Sequence, residues 1–290
     1  RRAPSWETPE KGGGALLRRV AGGGKMEKSD YAGMHDFLMR SLRLMHDPVG
    51  ITFLFDEKQV EDFCSGNVYH EPVRPLTFCQ AELGARMEGR TVFLDMKKLW
   101  CLDARCCFGV DEVSDTVVRD LLRFGTDEEQ VRRFVESKPR MEKAPLAVVM
   151  RPLREQTSMP DVVHFCCDNM QAYHLTDDWM AVTNVHPFRP SLSINSAVCG
   201  GTAFSYIHHQ ANLTLACAGS YNSGKMERGE INVMIPGGHI HAVVERMAGR
   251  VEKTGGVSIT RSGHPFPGAD ICQNCPLIVF KKREPQEKRS

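Results

Sequence analysis

The chain has 290 residues, of which 41% are hydrophobic and 25% are charged, and its formal net charge is +1. This composition is that of a globular protein, and the length suits one large domain or two small ones. The balanced charge argues against a nucleic-acid or acidic-membrane partner, and no apolar run approaches the roughly 20 residues that span a bilayer. No secretion signal is recognisable, so we expect a cytoplasmic protein.

Residues 1–25 differ in composition from the rest of the chain. They are rich in Gly, Arg and Pro without a sustained hydrophobic period, and a helical pattern begins at Met26. We interpret 1–25 as a non-native or disordered leader. The remainder divides into a first αβ half, 26–155, and a second αβ half, 156–290, which carries a C-terminal CxxC segment.

Helical and strand patterns alternate through the first half. Apolar residues at helical spacing follow the leader, and the β-branched run Pro48–Phe55 predicts a buried strand. The segment QAELGARMEG predicts a helix, and RTVFLD predicts a short strand. Two further helices are predicted after the N-cap residues Ser114 (or Asp115) and Thr126, the second in a capping box with Glu129. The strand LAVVMRP then ends this half.

The second half repeats the order of these elements. The strand PDVVHFC precedes the helical segments DNMQAYHL and GGTAFSYIHHQ and the strand NLTLA. A pair of cysteines falls at corresponding places in each half, Cys79 and Cys101 in the first and Cys199 and Cys217 in the second. The order of elements and the cysteine positions predict an α/β or α+β fold, with mixed sheets and two pseudo-repeated halves in one compact unit.

Five blocks of sequence resemble an uncharacterised prokaryotic family. FCQAELGAR (Phe78–Arg86), CLDARCCFGV, PDVVHFCCDNMQAYHL, AVCGG and CAGSY followed by GEINVMIP occur in the order typical of the domain of unknown function 169, also called ArCR. The resemblance covers Pro48–Arg246 and implies a fold group without a settled activity. The chain departs from the family pattern at Tyr221, where the family often has Arg, and the late CQNC is not part of that pattern.

The chain contains eleven cysteines, which dominate its chemistry. In a cytosolic protein so many thiols do not indicate a disulfide framework, because the compartment keeps them reduced. A free cysteine is most often a small buried apolar side chain. Cys106, Cys166 and Cys167 fit that role, since they fall in an apolar helix and at the end of a buried strand.

The four cysteines shared by the two halves are different. Cys79, Cys101, Cys199 and Cys217 lie at junctions between predicted elements, where backbone amides are free and binding sites occur. If the halves pack about a pseudo-twofold axis, both pairs converge at its centre. Four thiolates around one point suit an iron–sulfur cluster or, alternatively, a tetrahedral zinc. The other alternative is one pair of redox-active thiols, with the remaining two cysteines in the core.

The CQNC segment is a secondary candidate metal site. Cys272 and Cys275 form a CxxC, which can chelate a metal or cycle between dithiol and disulfide. Pro276 and a strand-like run follow directly, which argues against a thioredoxin-type helix. A closed metal site needs two more ligands, for which His264, the Cys106/Cys107 pair or a partner chain are candidates. An exposed CxxC without a metal is the alternative.

The segment after Cys217 has part of the pattern of a phosphate-binding loop. Gly219, Gly224 and Lys225 have the required spacing, but Met226 stands where Ser or Thr would hold magnesium. The following residues indicate a turn into a strand rather than a helix. We therefore interpret the segment as a turn that lets the backbone fold closely around Cys217.

Three functions remain open from the sequence. The first is a cysteine-ligated metalloprotein, of the iron–sulfur type, with a redox or accessory role and a redox partner protein or small-molecule ligand. The second is a cysteine-dependent enzyme that uses Cys217 or Cys79 as its nucleophile. The third is a small-molecule binding protein with structural cysteines. Gln80, Arg86 and Gly219, which lie beside or near the family cysteines, are candidate ligand-binding residues, and Arg86 would pair with an anionic ligand or a carboxylate.

Overall fold

The structure is a computed structural model that describes residues 30–192 and 195–254. The predicted leader 1–25 and the CQNC segment, with Cys272, Cys275 and the candidate ligand His264, lie outside these residues. No helix in the described part of the chain is long and apolar enough to cross a membrane.

Within the described ranges the chain forms ten α-helices and six β-strands. The helices are α1 (Tyr31–Leu42), α2 (Glu57–Gly66), α3 (Phe78–Glu88), α4 (Leu102–Cys107), α5 (Asp115–Leu121), α6 (Glu128–Glu136), α7 (Asn169–Thr183), α8 (Val198–His208), α9 (Ala218–Asn222) and α10 (Gly237–Thr254). The strands are β1 (Val49–Leu54), β2 (Val92–Asp95), β3 (Ala147–Pro152), β4 (Val162–Cys167), β5 (Asn212–Leu215) and β6 (Ile231–Pro236). The predicted boundary between the halves falls at the end of the short 3₁₀ helix Leu153–Glu155.

The six strands form one sheet in the order β2-β3-β1-β4-β6-β5. In each half, the strand that comes last in sequence lies between the other two. The halves meet where β1 pairs with β4, with Val49 opposite His164. The order of strands is therefore the same on both sides of the β1–β4 boundary, while a common origin of the halves stays a prediction.

Every pairing between the named strands is antiparallel, rather than mixed as the sequence suggested. The apolar runs of these strands are nearly continuous, which is typical of strands covered on both faces and common in parallel sheets. Every residue of β3 and of β4 is buried. Such a pattern reports burial on both faces and does not distinguish the strand direction.

Helices cover both faces of the sheet. On one face, α1, α7 and α10 pack on β4 and β6 around the buried Trp179. On the other face, α3, α4 and α8 pack on the strands of both halves around Phe78 and Phe108. The second face matters for function, because Cys79, Cys107 and Cys199 belong to its core.

Local capping sets where the helices begin. Ser114 caps α5 as predicted, with its side chain accepting a hydrogen bond from Val117 N–H. The predicted capping box of Thr126 and Glu129 is wrong by one residue. Asp127 is the N-cap of α6 and accepts from Gln130 N–H at 2.8 Å. The Asp127 carboxylate accepts from the backbone N–H of the third helical residue, whereas the Thr126 hydroxyl donates to the Gln130 side chain.

The cap of α3 matters most for the site, since this helix carries Cys79. Thr77 accepts a hydrogen bond from Gln80 N–H, and the Gln80 side chain accepts one from Thr77 N–H at 2.9 Å. We expect Thr77→Ala to lower the free energy of unfolding by about 1 kcal/mol, the usual contribution of such a cap. Urea unfolding measures it, with the exposed Thr116→Ala as control. Equal effects of the two substitutions would contradict the role of the cap.

Candidate functional site

The four family-position cysteines occupy matching places in the two halves. Cys79 is the second residue of α3 and Cys199 is the second residue of α8. Cys101 is the N-cap of α4 and Cys217 is the N-cap of α9. All four thus lie in or next to the first turn of a helix, where backbone N–H groups have no partner within the helix.

These cysteines interact with one another across the boundary between the halves. The Cys79 thiol of the first half interacts directly with the Cys217 sulfur of the second. Cys101 lies within electrostatic range of Cys217, and Cys199 within range of both Cys79 and Cys101. The structure therefore brings both pairs into one region, which we call the cysteine cluster together with Cys107.

Cys107 is a member that the sequence analysis missed. Its thiol interacts directly with Cys199, and a Cβ atom added at Gly200 would lie 3.9 Å from its sulfur. Its neighbour Cys106 points elsewhere, into a separate core formed with α5 and α6. Only the position of the helix decides which of two adjacent cysteines faces the cluster, although the block CLDARCC already contains both.

Cys217 has an acidic thiol, with a pKa below the ordinary value. Its sulfur is contacted by the Cys79 thiol, by Ser220 N–H at 3.4 Å and by the backbone N–H of Ala197. The Cys79 thiol and then these other donors outweigh burial and lower the pKa of Cys217 to about 5. At neutral pH, Cys217 is therefore a thiolate that is held by surrounding donors.

The partners of this thiolate keep their protons. The interaction with Cys217 and burial raise the pKa of Cys79 well above its ordinary value. Burial raises the pKa of Cys101 to about 11. Cys107 and Cys199 form a second pair of this kind. Cys107 raises the pKa of Cys199, whereas Cys199 and then the Lys138 ammonium lower the pKa of Cys107. In each pair, one thiol therefore has a raised pKa and its partner a lowered one.

The spacing of the sulfurs bears on which metal group they can hold. A zinc–sulfur bond of about 2.3 Å in a tetrahedral site places the ligand sulfurs about 3.8 Å apart. Among the described residues, no three sulfurs of the cluster form a group with mutual distances within 4.8 Å. In this part of the chain, the cluster sulfurs are therefore not preformed as the ligands of one tetrahedral ion.

The segment after Cys217 forms a short helix, α9, instead of the predicted turn. After α9, the backbone passes against Cys79 at Gly224. A Cβ atom at this position would lie 2.7 Å from the Ser220 carbonyl oxygen and 3.1 Å from the Cys79 Cβ atom. Glycine is needed here because any side chain would separate the segment from Cys79.

The candidate ligand-binding residues differ in their surroundings. The Gln80 side chain is used in the cap of α3. Arg86 is buried and pairs with Glu82 at 3.1 Å, which is the carboxylate partner considered above, and also donates to the Gly224 carbonyl. A Cβ atom at Gly219 would lie 3.7 Å from the Cys217 sulfur, an ordinary contact distance.

A buried polar network behind the cluster joins the two halves. Glu82 Oε1 lies 3.0 Å from His164 Nδ1, and His164 Nε2 lies 3.0 Å from Asn232 Oδ1. Burial alone would raise the pKa of Glu82, but His164 and Arg86 outweigh it and hold that pKa below its ordinary value. The network ties α3, which carries Cys79, to β4 and β6 of the second half.

Comparison with known proteins gives one informative result. No curated protein and no solved structure matches this chain. A family model does match, over residues 37–246. This range contains all five cysteines of the cluster, the network of Glu82 and both halves of the sheet. The chain therefore belongs to the DUF169 family, described as uncharacterised ArCR.

Proposed function

We propose that this protein is an iron–sulfur protein whose cofactor is held by Cys79, Cys101, Cys199 and Cys217. The observation that carries the proposal is the mutual interaction of these four side chains, which come from both halves of the chain. Four cysteine thiolates are the usual ligands of a [4Fe–4S] cluster. Such a cluster would supply one-electron transfer at this position.

The surroundings of the sulfurs support this proposal over a single zinc ion. Among the described residues, no three cluster sulfurs lie as close together as the ligands of one tetrahedral ion do. Backbone N–H groups approach the Cys217 sulfur from Ser220 and Ala197. Hydrogen bonds to the ligand sulfurs stabilise negative charge and adjust the reduction potential of a cluster.

One side of the cluster is open to a partner. Cys79 and Cys199 are buried, whereas Cys101 and Cys217 are partly exposed. Trp100, next to Cys101 in the chain, and Tyr221, at the end of α9, are exposed aromatic residues. Exposed aromatic side chains are enriched at protein interfaces. We propose this side as the place where a redox partner protein or a small-molecule ligand exchanges electrons with the site.

The test is anaerobic purification of the full chain followed by metal and sulfide analysis. We expect about four irons with acid-labile sulfide and broad visible absorption, lost in Cys79→Ala and in Cys199→Ala. The matched control is Cys64→Ala, since Cys64 lies on α2 and packs with Phe63 and Tyr69 away from the cluster. Iron retained in full by both cluster variants, or protein purified without iron, would refute the proposal.

A second function is favoured by one specific observation, the low pKa of Cys217. A thiolate at neutral pH is a nucleophile without a separate general base, and Cys217 is partly exposed. When a peroxide oxidises the Cys217 thiolate to a sulfenic acid, the neighbouring Cys79 thiol is placed to attack that sulfur, which forms the disulfide and releases water. In this alternative the protein is a cysteine-dependent enzyme that acts through Cys217, with Cys79 as the resolving thiol.

A further inference from the structure

Three side chains outside the cysteine cluster converge beside the sheet. His46 lies between α1 and β1, Cys166 is on β4, and Glu230 directly precedes β6. One ligand atom from each residue lies within 4.8 Å of the other two. The three residues come from distant parts of the chain. The pairing of β4 with β6 brings Cys166 and Glu230 together, and β1, which follows His46, pairs with β4.

The geometry is fixed by short contacts around the Glu230 carboxylate. Its Oε1 atom lies 3.0 Å from His46 Nε2. Its Oε2 atom accepts hydrogen bonds from the Cys166 thiol at 3.2 Å and from Glu227 N–H at 2.7 Å. A backbone donor that orients a ligating carboxylate is typical of metal sites, where such outer contacts position the ligands.

The imidazole of His46 is the least satisfied member of the group. Its Nε2 atom is buried and makes no hydrogen bond within the described residues, despite its distance of 3.0 Å from the carboxylate. The ring nitrogen and the carboxylate are therefore close without being aligned as donor and acceptor. A buried polar atom without a partner is uncommon and calls for an explanation, of which a bound ion is one.

We infer that His46, Cys166 and Glu230 form a zinc site, separate from the cysteine cluster. Imidazole nitrogen, thiolate sulfur and carboxylate oxygen are the three donor types that zinc accepts, whereas calcium and magnesium take oxygen ligands. Three protein ligands leave a fourth position for water, as in zinc sites that act on substrates. The His46 and Glu230 side chains are 11% and 13% exposed, so the site has limited contact with solvent.

The charges of the group suit a divalent ion. Binding releases the Cys166 proton to solvent, after which one thiolate and one carboxylate neutralise the two charges of zinc. Arg86 lies within electrostatic range of Cys166 and Glu230, but its own charge is balanced by Glu82. The site shares no ligand with the cysteine cluster, so the zinc proposal does not depend on the iron–sulfur proposal.

The strand that carries Cys166 provides a matched control. Cys166 and Cys167 are adjacent and both buried, but Cys167 belongs to the core on the opposite face of the sheet. The experiment compares Cys166→Ala with Cys167→Ala in the full chain, with Cys272→Ser and Cys275→Ser in both proteins to remove the CxxC thiols. Reduced, metal-free protein is titrated with Zn²⁺ against a chromophoric chelator, and with Co²⁺ for its thiolate charge-transfer absorption.

We expect Cys166→Ala to bind one zinc fewer than Cys167→Ala, or to bind it at least about tenfold more weakly. The cobalt–thiolate absorption of this site should be lost in parallel. Glu230→Gln keeps the shape of the side chain and the Cys166 thiol, so it tests the site if Cys166→Ala does not fold. We expect it to lower the zinc stoichiometry or affinity in the same way. Equal zinc stoichiometry and affinity in Cys167→Ala and Glu230→Gln would overturn the inference.

Discussion

At about pH 5.5, Cys217 in the reduced, metal-free protein is expected to react with an activated aromatic disulfide about 20 times faster than an ordinary cysteine. The reason is its pKa of about 5, which the Cys79 thiol and the backbone donors around the sulfur produce. The thiolate is the reactive form, so acidic solution separates Cys217 from the other thiols of the chain.

The size of the effect follows from two opposing factors. At about pH 5.5, a thiol with a pKa of about 5 is about three-quarters thiolate, whereas one with a pKa of about 8.5 is only about 0.1% thiolate. The more acidic thiolate is the weaker nucleophile, and a Brønsted coefficient of about 0.45 reduces the advantage by about 40-fold. At neutral pH the larger thiolate fraction and the weaker nucleophilicity nearly cancel, so the rates must be compared in acidic solution.

Peptide mass spectrometry after a short reaction identifies the labelled cysteine. In Cys79→Ala the strongest stabilising contact of the Cys217 thiolate is absent, so its pKa should rise and its rate at acidic pH should fall. Cys64→Ala should leave the rate unchanged. If Cys217 reacts only when the pH approaches the pKa of an ordinary thiol, Cys217 is not a thiolate at neutral pH. The enzyme alternative then loses its support.

The second large effect is expected at Arg86. Its side chain is 1% exposed and pairs with Glu82, which is itself buried. Arg86→Met leaves the Glu82 carboxylate with His164 as its remaining partner and deprives the Gly224 carbonyl of its donor. Removal of one member of a buried ion pair typically lowers the free energy of unfolding by about 3–5 kcal/mol. Urea or guanidinium unfolding measures this change.

Two comparisons separate the ion pair from a general effect of the substitution. Arg132→Met removes the partly exposed partner of the exposed Asp115 and should change stability little. Adding Glu82→Gln to Arg86→Met should restore part of the loss, because the uncompensated carboxylate is then absent. If Arg86→Met unfolds at the same denaturant concentration as the unchanged protein, the pair does not stabilise the fold.

The pH dependence of this effect has a defined sign. The pKa of Glu82 is lowered in the folded protein, so its stabilisation is complete above the unfolded-state pKa of about 4.3 and is lost as the pH falls through the folded value. Without Arg86 the pKa of Glu82 rises, and the loss of stability should begin at a higher pH.

The same variant should slow the reaction of Cys217, because Arg86 holds the Gly224 segment against Cys79.

Much of the fold was accessible from local patterns. The predicted strand over Pro48–Phe55 is β1, and the predicted cap at Ser114 begins α5, because both signals lie within a few residues. The cap of α6 was misplaced by one residue, since Thr126 and Asp127 are both good caps. Strand direction was not accessible, because continuous apolar runs result from coverage of both faces whatever the direction.

Some residues of the candidate sites were also recognisable from local sequence, and others were not. Cys79 and Cys217 were identified from their motif blocks and their junction positions. Cys107 was not, because the choice between it and Cys106 depends on how α4 is turned towards α8. His46, Cys166 and Glu230 carry no local motif, and their proximity arises from the pairing of β4 with β6 and from the loops that precede β1 and β6.

The sequence alone determined the elements, their order in the two halves, the family and the four cysteines of the candidate site. These features depend on side-chain type and spacing within a few turns of chain. Only the tertiary structure decided which thiols meet, which of them loses its proton, and that Arg86 is used by Glu82 and Gly224. Those properties depend on burial and on contacts between residues far apart in the chain, which no local pattern records.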